Sequence, residues 1–257
     1  MDGNKVAGDW IRRYAERPEA GSVVVCLPHA GGSATFYLPV ARAAAPWADV
    51  LAVQYPGRQE RRHEPCVETV AELADLIAEE LEPWTARPVI LFGHSMGATV
   101  AYEVARRLEA RGLPPAGLFA SARPAPSIVR DRGLHRLPDA DLLEEMRRLG
   151  GTAGAVLREE ELMRAALRAI RSDYRAIETY RHPEGPVLSC PVVALVGEDD
   201  PRASVEDAAA WRAHTTGAFR LHTFSGGHFY LTEHAQRVVA LIEAHARETA
   251  ASPSSAR

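Results

Sequence analysis

The sequence predicts an α/β protein: a mainly parallel central sheet flanked by helices, with a helical insertion late in the chain. Three observations carry this. Short, β-branched apolar runs alternate with helical segments along most of the chain. Most of the runs are apolar throughout, as in strands covered on both faces, and the run at 219–224 alternates. Residues 125–186 then break the alternation, with helical patterns and no convincing strand.

Residues 1–20 are polar, and Trp10, Ile11 and Tyr14 stand at near-helical spacing, which reads as a short docking helix or arm. Residues 22–27 (SVVVCL) form a buried strand stopped by Pro28, and residues 36–45 follow as a helix with Leu38, Ala41 and Ala45 inward. Residues 50–53 make a second strand, ended by Tyr55-Pro56-Gly57, and a charged loop follows. Residues 67–81 carry the clearest helical period, with Val70, Leu73, Ile77 and Leu81 on one stripe. The run 88–92 (PVILF) is a third strand, and helical periodicity resumes after Gly97 with Val100, Val104 and Leu108. Residues 117–121 are a short fourth strand. Within the insertion, residues 139–149 and 159–180 are amphipathic, separated by a Gly-rich hinge at 150–154. Residues 191–196 and 219–224 are the fifth and sixth strands, with helices at 205–214 and 233–247. The expected organisation is therefore a core over 1–124, a helical lid over 125–186, the rest of the core over 187–250 and a disordered tail over 251–257.

Composition narrows the function classes. At 257 residues, about 75% of the unfolded chain's surface can be buried, so a core needs no metal or disulfide. Thirty basic against 34 acidic residues leave a net charge of −4, which argues against a general nucleic-acid binder. Cys26, Cys66 and Cys190 cannot all pair, and their spacing fits no zinc motif, so free thiols in a reduced, cytoplasmic setting are expected. No apolar run approaches the ~20 residues of a membrane span, and the N-terminus lacks a signal-peptide core.

The chemistry gathers in loops that follow strands, where ligands of parallel sheets bind. Gly93-His94-Ser95-Met96-Gly97 fits G-x-S-x-G and lies between an apolar strand and an amphipathic helix, the context in which a sharp turn presents a serine nucleophile. A serine hydroxyl needs a base. Of ten histidines, His228 follows a strand and a Gly-Gly pair near the C-terminus, in the chain order serine, acid, histidine. His94 adjoins the nucleophile and points away from it; His222 reads as structural, and His214, His234 and His245 as solvent-facing. The loop Gly197-Glu198-Asp199-Asp200-Pro201 offers the orienting acid, with Asp200 preferred and Asp199 its competitor. An acyl-enzyme also needs an oxyanion hole, for which the backbone N–H groups of Ala30 and Met96 are the candidates. His29, Gly31 and Phe229 are candidates for binding substrate.

Four spaced motifs then carry a resemblance. They are Leu27-Pro28-His29-Ala30-Gly31-Gly32-Ser33; Gln54-Tyr55-Pro56-Gly57-Arg58 with Arg61, Arg62 and Glu64; Phe92 to Ala98 with Tyr102-Glu103; and Gly226-Gly227-His228-Phe229. Together they resemble the type II thioesterases associated with polyketide synthases and non-ribosomal peptide synthetases. The resemblance implies an α/β-hydrolase fold with a helical lid, a Ser95–Asp200–His228 triad, and no metal or diffusible cofactor. It implies an editing thioesterase that clears stalled acyl groups from the phosphopantetheine arm of an acyl or peptidyl carrier protein, acting as a monomer. Such carriers are acidic, so Arg58, Arg61 and Arg62, or Arg123, Arg130, Arg132 and Arg136, could form a docking patch; a solvated charged loop is the plainer reading. A general esterase, an acyltransferase and a catalytically inactive scaffold are the alternatives.

Overall fold

The computed structural model describes residues 10–149 and 160–251. The hinge at 150–154, residues 1–9 and the tail from 252 onward lie outside the described residues. The strands are β1 (Ile11–Ala15), β2 (Ser22–Leu27), β3 (Ala48–Val53), β4 (Val89–His94), β5 (Gly117–Ser121), β6 (Val192–Gly197) and β7 (Phe219–Phe224). The helices are α1 (Leu38–Ala44), α2 (Val70–Leu81), α3 (Met96–Ala110), α4 (Asp139–Arg148), α5 (Glu160–Thr179), α6 (Val205–Ala209) and α7 (Ala235–Ala251).

The strands form one sheet in the order β1-β3-β2-β4-β5-β6-β7. All neighbours are parallel except β1 and β3. Every residue of β2 is buried, as the unbroken apolar run predicts, and its side chains divide between two cores. Val23, Val25 and Leu27 meet α2 and α3 on one face; Val24 and Cys26 meet α1 and α7 on the other. The stripe Val70, Leu73, Ile77, Leu81 faces the first core, and Thr69 caps α2 by accepting the Glu72 N–H at 3.2 Å. The inward face of α1 is Val40, Ala41 and Ala44, with Leu38 and Ala45 only half-buried.

Residues 11–15, which carry Ile11 and Tyr14, form a strand and not a docking helix. Ile11 packs into the first core and Tyr14 against the second, on opposite faces of the sheet. Only an extended chain sends residues three apart to opposite sides. Arg13 clamps the strand with hydrogen bonds of 2.9 and 2.6 Å to the fully buried Asp49 of β3.

Parallel register makes the carboxyl ends of the strands level. Leu27 pairs Gly93, His94 pairs Ser121, and Gly197 pairs Phe224. The loops after β2, β4, β6 and β7 therefore open onto one rim. Between β5 and β6 the described elements are helical. Leu134, Leu142, Met146, Leu167 and Ile170 form a small core of their own there, which α5 joins to the main body through Ala176 and Ile177.

Candidate active site

Ser95 links β4 directly to α3 at φ 54° and ψ −119°, a left-handed conformation that costs a non-glycine residue about 1–3 kcal/mol. The surroundings hold it there. Its N–H donates to the Ser121 carbonyl at 2.8 Å, and its carbonyl accepts the Ala98 N–H at 3.0 Å. Gly97 makes the turn possible, since a Cβ there would stand 2.1 Å from the Leu27 carbonyl oxygen.

His228 and Asp200 meet Ser95 from the loops after β7 and β6. The His228 Nε2 lies 3.0 Å from Ser95 Oγ, and its Nδ1 lies 2.9 and 3.0 Å from the two Asp200 oxygens. The carboxylate accepts the hydrogen bond from Nδ1–H, which leaves Nε2 as the acceptor for the serine hydroxyl. Asp200 also accepts the Arg202 N–H at 2.8 Å, and its side chain is fully shielded. Its neighbour Asp199 is exposed and meets the loop only through its N–H, which donates to Gly226. The buried acid against the imidazole is thus Asp200.

Ala30, Ser95, Met96 and His228 line one end of a cavity of about 480 Å³. Met96 is the first residue of α3, whose N–H has no acceptor within the helix. Leu134, Leu149, Tyr174 and Ile177 supply the apolar wall from the helical insertion. His29, Gly31 and Phe229, expected at the substrate, do not line this cavity. His29 is buried between the rings of Phe36 and Phe229, with centroids at 4.7 and 4.9 Å. Burial, then repulsion from His228 and Arg58, lowers its pKa to about 3. Burial likewise holds the His94 ring well below its ordinary value, and Ser121 Oγ lies 2.9 Å from its Nδ1. The ring of His94, whose centroid lies 5.3 Å from that of His228, is therefore neutral. Neither His214 nor His245 faces solvent: both are buried, and His245 Nε2 donates to the Ala116 carbonyl at 2.9 Å.

The charged loop after β3 is also built differently from a docking patch. Arg58 is buried in a two-pronged pair with Asp173 of α5, at 2.6 and 2.8 Å. The same carboxylate accepts the Gly31 N–H at 2.7 Å, and Arg58 donates to the Gly32 carbonyl at 3.1 Å. Asp173 thus ties α5 and Arg58 to the loop that carries Ala30. Sequence reasoning missed it. Its signal was an acid set inside an apolar stripe, between Ile170, Tyr174 and Ile177. Arg61 is buried as well, donating to Glu64 and to the Gln54 carbonyl; of the three arginines only Arg62 is exposed.

A strained serine, a histidine and a buried acid in one hydrogen-bonded line can support nucleophilic acyl transfer. Against this geometry, the family model for the Thioesterase domain matches residues 23–246. The chain belongs to the thioesterase family. It is a hydrolase acting on thioesters, with the α/β-hydrolase fold. It is 52% identical over 232 residues to the probable cadicidin biosynthesis thioesterase of Streptomyces griseus, an alignment that covers 90% of this chain and 64% of that protein. It is 47% identical over 252 residues to thioesterase PikA5 of Streptomyces venezuelae, covering 97% and 90%. Among solved structures, the type II thioesterase BorB from the borrelidin biosynthetic cluster superposes with a TM-score of 0.88 at 53% identity, covering 95% of this chain and 100% of that one. YbtT, a type II thioesterase from the yersiniabactin pathway, gives a TM-score of 0.82 at 32% identity, covering 93% and 99%. Within the thioesterase family, the four-motif resemblance to type II enzymes therefore extends across almost the whole chain. No helix among the described residues is long and apolar enough to cross a membrane.

Proposed function

We propose that this thioesterase edits carrier-bound acyl groups in polyketide or non-ribosomal peptide biosynthesis, with Ser95 as nucleophile, His228 as base and Asp200 as orienting acid. The observation that carries the reading is the unbroken line Asp200–His228–Ser95 opening into the cavity that Ala30 and Met96 also line. The likeness to type II thioesterases of such clusters supports the reading, which takes the substrate as an intermediate held on a carrier protein.

Ser95 Oγ attacks the thioester carbonyl while His228 Nε2 takes its proton. The carbonyl oxygen becomes an oxyanion, held by the N–H groups of Ala30 and Met96. Collapse breaks the C–S bond, and the pantetheine thiolate leaves with the proton from His228. Water then gives a proton to His228 and attacks the acyl-serine, and the returning proton frees Ser95 and a carboxylic acid. Asp200 holds the imidazole in the tautomer both steps need. The insertion over 125–186 is a lid, with Tyr174 and Ile177 of α5 walling the acyl cavity, and the enzyme works as a cytoplasmic monomer.

Ser95→Ala should lower kcat by about 10⁶-fold on acyl-carrier substrates, and a serine-reactive fluorophosphonate should label wild type but not the variant. Labelling elsewhere, or undiminished turnover, would remove Ser95 from the mechanism. Matched acyl thioesters and oxygen esters separate this enzyme from a general esterase, and products formed with an alcohol present reveal any acyl transfer.

A further inference from the structure

The cavity beside Ser95 has more cations than its apolar wall suggests. Arg123, Arg130, Arg132 and Arg202 line it, against the carboxylates of Asp131 and Glu178. Both carboxylates are already engaged. Glu178 accepts the N–H groups of Arg132, Leu134 and His135 and lies 2.6 Å from His135 Nδ1. Asp131 accepts the Gly133 N–H and faces Arg136. Two of the arginines are satisfied as well: Arg130 by Asp207 and Arg202 by Glu145.

Arg123 is not. It follows β5 by two residues and lines the cavity, and its Nε donates to Thr99 Oγ1 at 3.2 Å. Its two terminal nitrogens have no acceptor, and no carboxylate pairs with it, among the described residues. Burial, reinforced by repulsion from Arg130 and Arg202, lowers its pKa to about 10, so the protein offers this cation little compensation. Its position relative to the chemistry follows from the scaffold. Thr99 lies one helical turn, about 5.4 Å, beyond Ser95 along α3. Ser121, two residues before Arg123, accepts the Ser95 N–H at 2.8 Å. Arg123 and Ser95 thus line one cavity, into which an acyl chain attached at Ser95 extends.

We propose that Arg123 is an oxygen-recognising subsite of the acyl cavity. It selects thioesters whose acyl chain carries an acceptor oxygen (a keto or hydroxyl group, or a carboxylate) within a few bonds of the thioester carbonyl. A guanidinium presents paired donors that fit such oxygens, and it binds a charged one most strongly. A saturated alkyl chain offers those donors no acceptor. The inference rests on the reading of Ser95 as the nucleophile of this cavity.

The test compares N-acetylcysteamine thioesters of butanoyl, 3-hydroxybutanoyl, 3-oxobutanoyl and malonyl groups on wild type, Arg123→Met and Arg123→Lys. In wild type the oxygenated substrates should exceed butanoyl in kcat/KM by about tenfold, the scale of one hydrogen bond to a charged group. That ratio should collapse toward one in Arg123→Met and survive in part in Arg123→Lys. A wild type without the preference, or a variant that slows all four substrates equally, overturns the proposal. So does a loss that follows the amide of the thiol arm, read by comparing butanoyl esters of N-acetylcysteamine and ethanethiol. If Arg123→Met fails to fold, the wild-type ratio and Arg123→Lys decide. Ser95→Ala, run alongside, should be inactive on every substrate; activity there would overturn the reading of the site itself.

Discussion

Ser95, Asp200 and His228 are far apart in the chain, with serine and histidine separated by 133 positions, yet each ends or follows a strand of one sheet. At the residue scale the decisive contrast is between two adjacent aspartates. Asp200 is buried against His228, whereas Asp199 is exposed and uses only its backbone. Asp200→Asn puts an amide against Nδ1 and favours the wrong tautomer, so kcat should fall by about 10⁴-fold with KM little changed. Asp199→Asn should stay within about twofold of wild type. Steady-state kinetics on one acyl-N-acetylcysteamine thioester checks both, and the reverse order would shift the acid by one residue. The acidic loop itself was legible; which acid turns inward was not, because either side chain suits a tight turn.

At the scale of elements, α5 braces the site. Ile170 packs on Gly31, Asp173 holds Arg58 and the Gly31 N–H, and Glu178 gathers the loop before α4. Arg58→Met strands a buried carboxylate and should cost about 3–5 kcal/mol of stability. Arg58→Met with Asp173→Leu should recover most of that in a urea titration, since an apolar pair replaces an ion pair at little cost. Activity should not return, because the Gly31 N–H loses its acceptor and the neighbouring Ala30 N–H its fixed direction. A stable and fully active double variant would show that the clasp serves folding alone. The same logic reassigns Arg61. It is buried, stacked 4.6 Å over Trp10 and paired with Glu64, so a charge reversal there tests stability rather than carrier docking. The N-terminal strand escaped the sequence for a related reason. Its pattern is too short to separate a helix from a strand, and only the open edge of β3 and the buried Asp49 decide between them.

For the molecule as a whole, several histidines are buried uncharged. His29 titrates at about 3 and His214 at about 4, and His94 lies well below its ordinary value, each chiefly through burial. Their folded-state pKa lies below the unfolded value of about 6.5, so the unfolded chain binds protons first as pH falls. Stability is therefore fully present above about pH 6.5 and declines below it, by at most about 1.4 kcal/mol per pH unit for each histidine, until the folded values are reached. The urea midpoint at pH 5.5 should lie below those at pH 6.5 and 7.5; a flat series would contradict the buried neutral rings. The sequence by itself determined the alternation of strands and helices, the elbow at Ser95, the histidine after Gly226-Gly227 and the helical nature of the insertion. These are local properties: apolar period, turn chemistry and the steric need for glycine within five residues. Tertiary structure alone decided that Asp200 rather than Asp199 turns inward, that Arg58 belongs to Asp173 across 115 residues, and that Arg123 lines the cavity with no carboxylate partner among the described residues. Those depend on which side chains are desolvated together, and burial is a property of the packed chain that no stretch of sequence contains.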